Sequence, residues 1–380
     1  MAGAGNLLKN LKGDRVIWAI MFILAFASVL LVYSATGKLA YMYQGGNTEY
    51  YLFKHSATLV FGFMIAYVAY TMPYQIFMKL APWLLLISVP LLVITMAMGV
   101  DVNSARRWLT VPGIGLTFQT SDFAKIALVV YVAKALTTSQ ETIKDLQKGF
   151  FPIIIPVLLI CGLIAPSDLS TALILFATSM GMMFVGRVRL SFLVALMTGG
   201  IILFSFLVTI GNFFPEYVRV GTWIQRMRSF VTGGGDQFQV LQGKMAIAHG
   251  QYLGVGPGNS VQRNFLPSSY ADFIYAIIGE EYGLVGATFI LLIYVVLMFR
   301  IARLVTKSPK AFGSILAVGL GFMIVLQALA NMAVSVNLLP VTGLPLPLVS
   351  MGGSSILVSA AAFGMILSVS RYIEGLSSKE

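Results

Sequence analysis

Ten stretches of this chain are apolar for long enough to cross a lipid bilayer, and that constraint dictates helices. A bilayer needs about 20 mainly apolar residues per helix, and its interior offers no water to satisfy an exposed peptide group. The runs lie near residues 16–34, 55–72, 80–98, 121–137, 150–165, 168–186, 190–212, 272–299, 312–335 and 350–370. Of the 380 residues, 58% are hydrophobic and 10% charged, against roughly a quarter charged in soluble domains. The expectation is one all-α polytopic membrane domain over 1–380. The first run follows Lys9, Lys12 and Arg15 and continues to about Val32, which is long for a signal peptide, so it reads as an uncleaved first helix.

Lys and Arg set the orientation. With a cytoplasmic N-terminus they fall fifteen inside and ten outside, and half of the outer group sits in one long loop, which counts little in the rule. Both termini are expected inside, with cytoplasmic segments 1–15 and 371–380 and a large outer loop over 213–271. The net charge of +11 is scattered between apolar runs, which favours anionic lipid over nucleic acid. Cys161 is a lone thiol in an apolar run and reads as a small core residue. His55 and His249 have no metal-ligand spacing and read as interfacial and loop residues. Within the outer loop, Trp223 and Ile224 alternate with Arg219, Arg226 and Arg228, as in a short amphipathic surface helix. The glycine tracts 233–235 and 254–258 are turns that suit flexibility or a phosphate. The segment after Gly343, with Pro345 and Pro347, is expected to dip back before the last span.

Four polar clusters fall on the outer side. Arg106 and Arg107 beside Trp108 suit a phosphate and a sugar face, or an interfacial anchor. Asp122 and Lys125, three apart, share a face of the fourth span; the acid also suits the helix start, while the lysine enters hydrocarbon and needs a partner. Asp168, between the fifth and sixth runs, reads first as a helix cap in a tight hairpin. Asp272 stands where the long polar segment becomes the eighth run, and acids at such an edge are costly. As a helix, 272–283 would align Asp272 with Ala276, Gly279 and Gly283, a groove for a second helix or a lipid chain. Glu280 and Glu281, about 12 Å deeper, require pairing or solvent and admit a structural role.

These clusters resemble the SEDS family (shape, elongation, division and sporulation). The resemblance rests on Ala105–Trp108, Gln119–Lys125, Asp168–Thr171, Leu266–Ile274 and Leu339–Ser355, and runs from the first span to the last. Gly258–Gln262 and Ile277–Glu281 are more similar to the division branch than to the elongation branch. The chain departs from the family pattern at Thr120-Ser-Asp122, Pro166-Ser-Asp-Leu-Ser-Thr171 and Tyr270-Ala-Asp272, where the acids persist but their neighbours or lengths differ.

The resemblance implies an inverting peptidoglycan glycosyltransferase in the bacterial inner membrane, with its active site on the extracytoplasmic face. Its substrates would be lipid II and undecaprenyl-linked glycan. Asp272 would be the general base and Lys125 its neighbour. Arg106, Arg107, Arg226 and Lys244 would hold the pyrophosphate, with a divalent cation (Mg or Mn) as a candidate to share that task. Trp108, Asp122 and Gln262 complete the expected substrate contacts, and Asp168, Glu280 and Glu281 are left as structural. A class B penicillin-binding protein, a transpeptidase, is the implied partner, with other division proteins beside it. The rival readings are a lipid II flippase, an elongation-type polymerase and a scaffold that only recruits partners.

Overall fold

A computed structural model describes residues 12–102, 105–110, 117–211, 220–232, 238–308 and 310–377. Each of the ten apolar runs is a helix. Among the described residues, seven helical segments are both long and apolar enough to span a membrane. The helices are α1 (Arg15–Ala35), α2 (Gly37–Tyr43), α3 (Thr48–Thr71), α4 (Gln75–Met98), α5 (Thr120–Thr138), α6 (Phe151–Ile164), α7 (Leu169–Val185), α8 (Leu190–Gly211), α9 (Val220–Thr232), α10 (Phe238–Gly250), α11 (Ile274–Lys307), α12 (Ala311–Ser335) and α13 (Gly353–Ser377). Three short strands, β1 (Val100–Val102), β2 (Ala105–Thr110) and β3 (Thr117–Gln119), form an antiparallel sheet in that order. Strands this short carry too few alternating positions to signal themselves in the sequence.

The helices group into two compact units, Met1–Ile76 with Phe238–Glu380, and Phe77–Gln237. In the first, α12 and α13 form the interior: Gly321, Ala328, Ala362 and Phe363 are buried, whereas α3 and the part of α11 after residue 283 leave Phe53, Phe61, Phe289 and Phe299 exposed, as lipid-facing helices do. Asp14 caps α1 by accepting from Val16 N at 2.8 Å, and its other oxygen receives Arg300 NH2 at 2.6 Å, tying the start of α1 to α11. In the second unit, Asp168 caps α7 through Thr171 N at 3.1 Å, as expected for the hairpin between α6 and α7.

The segment 213–271 is no free loop. Its described part contains α9, α10 and a 3-10 turn at Gln262–Asn264. α9 carries Trp223 and Ile224 among its arginines, as the amphipathic reading anticipated; residues 212–219 and the 233–235 glycines lie outside the described set. α13 continues to Ser377, so residues 371–377 are helical and not a tail. His249 lies on α10, not in a loop, and His55 is enclosed between helices, bonded to Ser28 Oγ at 2.7 Å, not interfacial.

α11 is broken at Gly283, whose backbone is left-handed at φ 64°. The break admits the chain that follows α10: Val255 N donates to Glu280 O and Gly256 N to Glu281 O, both at 3.0 Å, and Leu284 N donates to Gln251 O at 2.9 Å. A Cβ on Gly283 would sit 2.4 Å from Gly254 N, and one on Gly254 would sit 2.2 Å from Glu281 O. The glycines at 254 and 283 therefore serve backbone-to-backbone approach, not a phosphate cradle. The same contact fills the small-residue face of α11, where Ile247 of α10 lies against Gly279, so a helix and not a lipid chain occupies the expected groove. Gly283→Ala should lower the unfolding temperature sharply or prevent folding, since both steric space and φ are refused. Gly162→Ala, with nothing within 4 Å of the added methyl, should leave it unchanged or raise it slightly.

Candidate active site

Asp272 does not begin the helix; it lies in the turn Ser268–Phe273 that precedes it, with Phe273 as the cap residue of α11. The helical-face argument therefore holds for Ala276, Gly279 and Gly283 but not for the acid. The turn is closed by Ala271 N and Asp272 N donating to Ser268 O at 2.9 and 3.2 Å, with Ser268 at φ 56°. The carbonyls of Tyr270, Ala271 and Asp272 are then held from outside. Tyr270 O accepts from Met351 N at 2.9 Å, Ala271 O from Ser350 Oγ at 2.6 Å, and Asp272 O from Asn331 Nδ2 at 2.8 Å. The acid side chain is half-buried.

The irregular chain between α12 and α13 supplies two of these donors. It is fastened to the helices around it: Gln327 Nε2 donates to Pro345 O at 2.8 Å, Tyr294 OH to Pro347 O at 2.5 Å and Ser28 Oγ to Val349 O at 2.7 Å. Leu344, Leu346, Leu348 and Val349 are buried, so the segment is enclosed as irregular backbone in a membrane protein has to be. A Cβ at Gly343 would lie 3.7 Å from Asp272 Oδ2, which places this segment beside the carboxylate. On the turn itself, burial first and the Asp272 charge second push the Tyr270 phenol above its ordinary range, so it stays a neutral hydrogen-bond donor near the acid.

The two deeper glutamates are structural. Glu280, fully buried, accepts from Ser260 Oγ, from Val261 N at 3.1 Å, from Gln262 N at 3.3 Å and from His249 Nδ1 at 3.0 Å. Glu281 accepts from Ser34 Oγ, and Arg263 NH1 donates to Ser34 O at 2.9 Å. Together they hold the loop after α10 to α11 and α1. Gln262 takes part through its backbone, and its Oε1 is enclosed with no hydrogen-bond partner among the described residues. Lys244 is exposed on α10.

In the second unit two of the expected cations, Arg107 and Lys125, are committed to neighbours. Arg107 Nε donates to Ser167 O at 2.7 Å and its NH1 reaches Asp168 Oδ2 at 3.3 Å, bracing β2 against the α6–α7 hairpin. Lys125 Nζ is 2.8 Å from Asp122 Oδ1 across one turn of α5, with both side chains almost fully buried. Asp122 is the acid of the first turn of α5, and its pairing answers the lysine's need for a partner. Trp108 is half-buried on β2 opposite Gln119, Arg106 stands opposite Asp101, and Arg226 is half-buried on α9.

Sequence reading missed Asn331, Gln327 and Ser350. Gln327 and Asn331 are amides four apart in an otherwise apolar α12, a spacing that puts both on one face and is itself a signal. Removing one member of a buried ion pair costs about 3–5 kcal/mol, because the other charge stays buried alone. Lys125→Met and Asp122→Asn should each lower the unfolding temperature of the purified protein, and the double variant should recover most of the loss.

A family model described as FTSW_RODA_SPOVE, cell cycle protein, matches residues 14–375. The chain is 35% identical over 335 residues to the "Probable peptidoglycan glycosyltransferase FtsW" of Nitrosococcus halophilus, covering 85% of this chain and 84% of that protein. It is 32% identical over 375 residues to stage V sporulation protein E of Bacillus subtilis, covering 96% and 98%. A chain from a peptidoglycan synthase complex, solved to show how polymerization and crosslinking are coordinated, aligns with a TM-score of 0.70 at 26% identity over 95% of this chain and 98% of that one. The rod shape determining protein RodA of Thermus thermophilus shares the fold, with a TM-score of 0.67 at 24% identity over 96% and 98%. With the motifs, the helices and these matches in agreement, the chain belongs to the FtsW/RodA/SpoVE family of cell cycle proteins.

Proposed function

We propose that this chain is a peptidoglycan glycosyltransferase that joins lipid II units into glycan, with Asp272 as its general base. The observation that carries the reading is the anchored turn: a half-buried carboxylate whose peptide is held on three successive carbonyls, in a chain whose relatives are named for this activity. A sugar hydroxyl is a poor nucleophile at neutral pH and gains most from a fixed base. In the proposed step the acceptor GlcNAc 4-hydroxyl attacks the anomeric carbon of the donor MurNAc. Its proton passes to Asp272, and the bond to undecaprenyl pyrophosphate breaks with inversion. The neutral Tyr270 phenol stands beside the acid as a donor for a sugar oxygen.

The pyrophosphate gains charge as it leaves, so cations placed for it lower the barrier. Arg106, Arg226 and the exposed Lys244 keep that role in the proposal. Arg107 is reassigned to bracing the hairpin, because its guanidinium is already bonded to Ser167 and Asp168. Lys125, paired with Asp122, keeps a substrate-contact role in the proposal: Lys125→Met should cost more rate than Asp122→Asn. Among the described residues no three His, Cys, Asp or Glu side chains gather as a metal site. Asp122 and Asp168 already face Lys125 and Arg107, and no step here runs through a divalent ion. We place the active site on the outer face of the cytoplasmic membrane and a class B penicillin-binding protein beside the chain, in septal synthesis.

The test is purified full-length protein in nanodiscs with lipid II, with and without the transpeptidase partner. Asp272→Asn should fold and bind lipid II normally but polymerise about 10²–10⁴-fold more slowly, the usual yield of a positioned base. Wild-type turnover by that variant would remove Asp272 from the chemistry.

A further inference from the structure

One amide accounts for the firmest part of the hold on Asp272. Asn331, 1% exposed on α12, donates through Nδ2 to Asp272 O at 2.8 Å and to Leu344 O at 2.7 Å. Both partners are carbonyls, so the amide orientation is settled: only the NH2 end can face them. Asp272 stands one residue ahead of the α11 cap, which leaves its carbonyl outside the helical ladder. Asn331 therefore supplies a bond that the helix cannot. The same amide grips Leu344, next to Gly343, whose Cβ position is 3.7 Å from the Asp272 carboxylate.

We propose that Asn331 is a positioning residue for Asp272, fixing the peptide plane from which the carboxylate is aimed at the incoming hydroxyl. The direction of the Asp272 side chain follows from its two flanking peptide planes. The preceding plane is held by Ser350 Oγ on Ala271 O and by Ser268 O on Asp272 N. The following plane is held by Asn331. Freeing it lets the carboxylate swing without removing it, and a misplacement of about 1 Å is enough to cost 10²-fold in rate. Asn331 is too deeply buried to touch a substrate, so its loss acts on turnover and not on binding. Gln327, one turn earlier on the same face, holds Pro345 O and keeps the facing segment in register.

This inference rests on Asp272 being the base, and the experiment separates the two. Asn331→Leu keeps the branched outline of the side chain and removes both N–H donors. In full-length protein that elutes as a single species and unfolds cooperatively, kcat for lipid II polymerisation should fall 10- to 100-fold while KM stays within about twofold. A kcat within twofold of wild type, or a loss confined to KM, overturns the assignment. If Asn331→Leu does not fold, Ser350→Ala takes its place: it frees only the preceding plane, and the same split, with a smaller fall in kcat, is expected. An unchanged kcat there overturns the proposal. Asp272→Asn is measured alongside. Full activity of that variant defeats the base and the positioning role together, whereas an inactive Asp272→Asn beside a fully active Asn331→Leu defeats only the role of Asn331.

Discussion

Three consecutive peptide carbonyls, those of Tyr270, Ala271 and Asp272, are held by groups from α12 and the chain that follows it. The reading of the site depends on this. A turn before a membrane helix would ordinarily be among the most mobile parts of such a protein, because its carbonyls have no helical partners. Here each carbonyl has one, and each donor is itself fixed: Asn331 by its helix, Ser350 by receiving Leu346 N at 2.7 Å, and the whole segment by Gln327, Tyr294 and Ser28. Irregular backbone next to hydrocarbon is admissible only when enclosed and bonded. The same bonds that make the segment admissible also fix the acid.

A second constraint recurs in each unit: among the described residues, the buried acids are met by partners. Glu280 is met by two backbone N–H groups, a serine and a histidine, Asp122 by Lys125, Asp168 by Arg107 and by the α7 N-terminus, and Asp14 by Arg300. In a medium that penalises charge by several kcal/mol per ion, such partners decide whether an acid is structural or available. Asp272 is fixed through its backbone. Its peptide is tightly held while its side chain stays half-exposed, which is the arrangement a reacting group needs.

The sequence carried much of this account and obscured the rest for identifiable reasons. Helix positions were legible because hydrocarbon demands long apolar runs, and Asp168 was legible because capping chemistry is local. The break in α11 was not, since Gly283 is one of many glycines and only the arrival of Gly254 against it reveals its use. The placement of Asp272 on a helical face failed because the helix starts at Ile274, two residues later than the apolar pattern suggested. Arg107 was read as a ligand for phosphate because its partners lie 60 and 61 residues away in sequence. Asn331 was overlooked for the same reason: its partners are 59 and 13 residues distant.

The central claim is that a carboxylate at position 272 accepts the proton of the attacking hydroxyl. The most direct measurement is the pH dependence of kcat/KM for lipid II polymerisation in the wild type and in Asp272→Asn. The account predicts that the wild type loses activity towards acid with a slope of one, while the residual activity of Asp272→Asn is low and flat across the same range. An acid limb that persists unchanged in Asp272→Asn would contradict it and place the base on another residue.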